Sequence, residues 1–92
     1  MPRDLLRVDR VDDWPTQQPG LTLYIVRGVT VEDQPHALEL RTLKPFQAAL
    51  CQRAMETDQL IWVEWADARH RQRNLVTVVL DTSKFVHDAE AV

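Results

Sequence analysis

Glycine is scarce: Gly20 and Gly28 are the only two in a chain of 92 residues, where average usage of ~7% would give about six. This excludes glycine-rich phosphate loops and dinucleotide fingerprints, which need glycines at fixed offsets to bring the backbone up to a phosphate. Cysteine is limited to Cys51, so no intrachain disulfide and no cysteine-based zinc site can form. A single thiol predicts a reducing, cytoplasmic setting and reads as a packed small residue rather than a nucleophile. Serine occurs once, as Ser83 near the C-terminus, which leaves no Ser/His/Asp arrangement to propose. His36, His70 and His87 stand apart with no i, i+4 pair, and no pair of carboxylates stands out. The expectation is a non-enzymatic chain with no metal and no cofactor. Long apolar runs are missing, so no membrane-spanning helix is expected. The opening MPRDLLRVDRVDDW holds no apolar stretch of the kind a secretory signal needs. An excess of basic charge is also missing: 11 basic against 14 acidic residues gives −3. That argues against an overall basic surface and leaves local patches open.

What is present suits one globular domain. Hydrophobic residues make up 45% and charged residues 27%, too apolar for a disordered chain. Residues 1–20 read as a leader, partly docked or disordered. Arg3, Arg7 and Arg10 alternate there with Asp4, Asp9, Asp12 and Asp13, before Pro15, Pro19 and Gly20 break regular structure. The leader's apolar residues and Trp14 favour docking. A barrel domain is expected over residues 21–81, and a frayed tail over 82–92.

Leu21 to Val31, LTLYIVRGVTV, is rich in β-branched and aromatic residues and predicts one long strand. Leu21, Leu23, Ile25, Val29 and Val31 share a parity, which predicts the buried face. Tyr24 then falls on the other face. Gly28 predicts a bulge or bend in this strand. EDQP, Glu32 to Pro35, reads as a turn, and His36 to Thr42 as the returning strand with Leu38 and Leu40 on one side. Pro45 changes the period, since proline suits a first helical turn. Phe46 to Thr57 predicts a helix burying Phe46, Ala49, Leu50 and Ala54. Leu60 to Ala66 and Leu75 to Leu80 predict two more strands, joined by a polar loop without glycine.

The expected class is therefore mainly β with one helix, a small antiparallel α+β barrel in the order β-β-α-β-β. One further short strand is left open, in the leader or after Leu40. Curling the sheet and plugging one end with the helix would solve burial and edge exposure together. This layout resembles the OB-fold over about residues 21–80. The resemblance lies in the long strand with Gly28, the helix introduced by TLKPF (Thr42 to Phe46), and the last hairpin with WVEW (Trp62 to Trp65). An SH3-like barrel fits the same order. The OB resemblance implies a domain that binds single-stranded nucleic acid or assists a complex that does.

Arg69, His70, Arg71 and Arg73 fall within five residues of the last hairpin and are the strongest local candidates. Arginine forks grip phosphates and stack on bases; a solvated hairpin tip is the plainer alternative. Trp62 and Trp65 should lie on opposite faces of one strand, one in the core and the other a stacking platform or covered by the leader. Tyr24 and Arg27 complete the candidate set as a stacking and phosphate pair on the barrel face. The rival expectation is a protein-interaction module, or an oligomer subunit, with no nucleic-acid contact.

Overall fold

A computed structural model describes residues 2–67 and 73–80 of the chain. The fold is mainly β with a single helix: β1 (Arg3–Pro15), β2 (Thr22–Thr30), β3 (Ala37–Thr42), α1 (Pro45–Glu56), β4 (Ile61–Asp67) and β5 (Arg73–Leu80). The strands close in the order β1-β2-β3-β5-β4, with β1 also pairing antiparallel to β4. All neighbours are antiparallel except β3 and β5, which meet in parallel through one residue pair, Arg41 opposite Asn74.

The largest difference from the sequence reading lies at the start. Instead of a leader, Arg3–Pro15 is the longest strand of the sheet and supplies two of its seams. Its apolar residues do not keep one parity, which hid the strand. Leu6 and Val8 are buried on one parity, while Val11 packs on the core from the other. A bulge between Val8 and Arg10 makes the switch, leaving Asp9 without a partner. The bulge is thus on β1, facing Gly28, rather than in the glycine's own strand. Gly28 answers a close approach: a Cβ there would lie 2.9 Å from Leu6 Cγ and nearer still to the Arg7 carbonyl oxygen.

The inner face of β2 is the even one. Val26, Gly28 and Thr30 are buried, while Val29 and Val31 are exposed. The more apolar parity therefore points outward, because the space against β1 at Gly28 admits only the smaller set. In β3, Leu38, Leu40 and Thr42 face inward.

The helix is also rotated from expectation. It buries Gln47, Ala48, Cys51 and Ala54, and leaves Phe46 68% exposed. Small residues suit this face because the helix lies close on the barrel end. Pro45 opens the helix, and Thr42 ties it to β3. The Thr42 hydroxyl donates to Gln47 Oε1 at 2.5 Å and accepts the Lys44 N–H at 3.1 Å. With Leu6, Leu40, Val26, Ile61 and Val63 at 0% exposure, the barrel interior is the core. Burial pushes the Cys51 thiol up to about 12, so it stays protonated and unreactive.

Candidate functional site

Pairing across the seams arranges the outward side of β1, β2 and β3 into rows, because directly opposed residues share a face. Trp14 lies opposite Leu23. In the next row Asp12 lies opposite Ile25, and Ile25 opposite Arg41. In the third, Arg10 lies opposite Arg27, and Arg27 opposite Glu39. The face therefore combines an indole that is 55% exposed, aliphatic side chains and charges of both signs.

A groove of about 360 Å³ opens at the edge of this face, lined by Leu23, Arg41, Thr42, Leu43, Lys44, Asn74 and Leu75. It lies where β3 runs into the helix and where β3 meets β5. The Thr42 hydroxyl holds the Lys44 backbone in place, and the register with Ile25 sets Arg41 on the outward face. Neither cation has an ion-pair partner among the described residues. The groove thus sets two cations, unpaired among the described residues, beside Leu23, Leu43 and Leu75.

The other arginines with described ion pairs are neutralised. Arg7 Nη1 meets Asp58 Oδ1 at 2.6 Å. Arg10 Nε meets Asp12 Oδ1 at 2.9 Å. Arg27 reaches Asp12 Oδ2 at 3.4 Å and Glu39 Oε2 at 3.3 Å.

Those of the residues singled out from sequence that the structure describes do not converge. Tyr24 does not lie on the outward face with Arg27. It shares the inner parity of Val26 and is half-buried, in a cleft of about 280 Å³ beside α1 with Asp13, Ala48 and Gln52. Arg27 faces outward, as the odd parity of β2 does throughout. Tyr24 and Arg27 consequently cannot act as a pair. Trp62 and Trp65 take different surroundings: Trp65 packs on the core and Trp62 does not. The Arg3 guanidinium lies 4.7 Å from the Trp62 ring. Trp65 donates its indole N–H to Asp4 Oδ2 at 2.9 Å and carries Arg73 4.9 Å from its ring. Arg73 is thereby held against the barrel wall, with its Nε buried and lacking a hydrogen-bond partner among the described residues. Arg69, His70 and Arg71 lie outside the described residues.

Arg41 and Lys44 were missed by the sequence reading, as was the exposed Trp14. Their signal was positional: Arg41 alternates with the buried Leu40 and Thr42, and Lys44 precedes Pro45. Among the described residues no group of three or more His, Cys, Asp or Glu is placed to hold a metal ion, and no helix is long and apolar enough to cross a membrane. Comparison with protein-family models, curated proteins and solved structures found no match for this chain.

Proposed function

We propose that this chain is an OB-like barrel that binds single-stranded nucleic acid across the outward face of β2 and β3. The observation that carries the reading is the groove in which Arg41 and Lys44 have no ion-pair partner among the described residues. Arg41 offers a planar fork for a phosphate and Lys44 a mobile point charge. Trp14, one row away, offers a ring for base stacking. The strand order supports the same reading, since OB barrels bind oligonucleotides on the face of their second and third strands. Arg69 and Arg71 join the proposal through sequence, three to five residues before Asn74 of the groove wall. In this reading the chain works in the cytoplasm, without a cofactor and without catalysis.

Fluorescence anisotropy of a labelled single-stranded oligonucleotide tests the proposal at low and high salt. With a few phosphates neutralised, log K should fall with log salt at a slope of roughly −0.7 per contact. Replacing Arg41 and Lys44 together by alanine should weaken binding at low salt. Absence of binding by the native protein at low salt rejects the reading.

A second reading has its own observation. Val79, Trp62, Leu5 and Val31 follow one another across β5, β4, β1 and the end of β2, all outward. Val79 is 52% and Val31 44% exposed. This apolar row suits a protein contact on another side of the barrel. A molar mass above the monomer by light scattering, reduced by Trp62→Lys, supports it; a monomer at all concentrations counts against a self-contact.

A further inference from the structure

Accepting the nucleic-acid reading of the β2–β3 face, we infer that Asp12 limits the grip of that face by holding Arg10 and Arg27 in ion pairs. The two carboxylate oxygens of Asp12 serve different arginines: Oδ1 takes Arg10 Nε at 2.9 Å, and Oδ2 takes Arg27 Nη1 at 3.4 Å. Asp12 sits in the row of Ile25 and Arg41, so the arginines it holds lie one row from the open cation of the groove. Its side chain is 20% exposed, against 66% for Arg10, 44% for Arg27 and 52% for Glu39. It is the sheltered member of the cluster, and screening by salt weakens its attractions least.

The cluster of Arg10, Arg27, Asp12 and Glu39 sums to zero charge. Two cations that could each meet a phosphate are cancelled, and on this face Arg41 and Lys44 are the ones without an ion-pair partner among the described residues. The cancellation depends on Asp12 more than on Glu39, because Glu39 reaches Arg27 alone. Removing the Asp12 charge turns a neutral cluster into one of net +1 beside the groove. A phosphate backbone crossing the rows then gains one or two further contacts. Asp12 does not serve the core, since it lies on the outward side while its neighbour Val11 packs inward.

The test compares the native protein with Asp12→Asn in binding a labelled single-stranded homopolymer over a range of salt. Asp12→Asn should bind about tenfold tighter at low salt, with a slope steeper by about 0.7 to 1.4, equal to one or two added phosphate contacts. Adding Arg10→Ala and Arg27→Ala to Asp12→Asn should return both values to the native level or below. Glu39→Gln, which releases Arg27 only in part, should show a smaller gain. Asp12→Ser gives a second route if the asparagine variant is unfolded by circular dichroism. If the native protein binds and neither Asp12 variant binds tighter, Asp12 is no restraint and the proposed function stands. If Arg41→Ala with Lys44→Ala leaves native binding unchanged, the proposed site fails whatever Asp12 does. If no form binds at low salt, both fall.

Discussion

The interior of the barrel and the outward face of β1, β2 and β3 are built from the same strands under opposite rules. Inside, position is set by volume: Leu6, Leu40 and Val26 are fully buried, and Gly28 is small because β1 presses on it. Outside, charge sets the pattern: Arg10 and Arg27 are matched to acids, whereas Arg41 and Lys44 have no matching acid among the described residues. The difference teaches that packing and surface charge are carried by alternate residues along one backbone, so stability and the proposed binding rest on different side chains. They should therefore separate under mutation.

The largest expected effect tests the interior. Leu40→Ala removes a fully buried side chain and should cost about 2–5 kcal/mol in urea unfolding. Gly28→Val should cost about 3 kcal/mol, since its Cβ would overlap the Arg7 carbonyl and Leu6. Any change in the salt slope of oligonucleotide binding by the folded fraction would break the separation.

Cys51 gives the interior a pH signature. Its thiol ionises at about 12 in the fold against an ordinary value of 9.0, so the unfolded chain binds fewer protons between those values. Stability is fully present below pH 9 and declines as pH rises towards 12, by up to about 1.4 kcal/mol per pH unit. Cys51→Ala should flatten that alkaline decline in urea melts at successive pH values. A decline equally steep in the variant would assign it to other groups.

The outward face predicts the reverse pattern. Arg41→Ala with Lys44→Ala should change stability by no more than about 0.5 kcal/mol, yet make the salt slope shallower by about 1.4. The smallest effect belongs to Arg7→Ala. Its pair with Asp58 is exposed on both sides, at 52% and 82%, and should contribute less than about 1 kcal/mol. It lies in the outward row beyond Arg10 and Arg27, opposite Val29, and its charge is already matched by Asp58, so oligonucleotide affinity should stay within error. A large loss there would extend the binding surface towards the end of α1.

The alternation of Leu38 and Leu40, the proline before the helix and the β-branched runs were legible because each depends on a few neighbouring residues. The helix and four of the strands follow from them, and so does Cys51 as an unreactive packed thiol. The site was less legible. A cluster of arginines is conspicuous in a sequence, but an arginine's availability depends on which carboxylate faces it across a seam. Arg27 and Arg73 were both candidates for a phosphate contact from the sequence. One meets Asp12 and Glu39, and the other lies over Trp65.

The sequence by itself determined the kind of the helix and of four strands and excluded glycine-rich phosphate loops and intrachain disulfides, because periodicity and residue counts are properties of the chain alone. Only the tertiary structure decided which face of β2 and of α1 is buried. Alternation separates two faces but does not rank them when both are apolar, and contact with β1 at Gly28 ranked them here. The tertiary structure also made a strand of Arg3–Pro15. One unpaired residue, Asp9, shifts the register by one, and that turns Val11 inward and Asp12 outward to Arg10 and Arg27. Pairing across a bulge is fixed by the partner strand, so the scarcity of glycine marked the contact at Gly28 without revealing what made it.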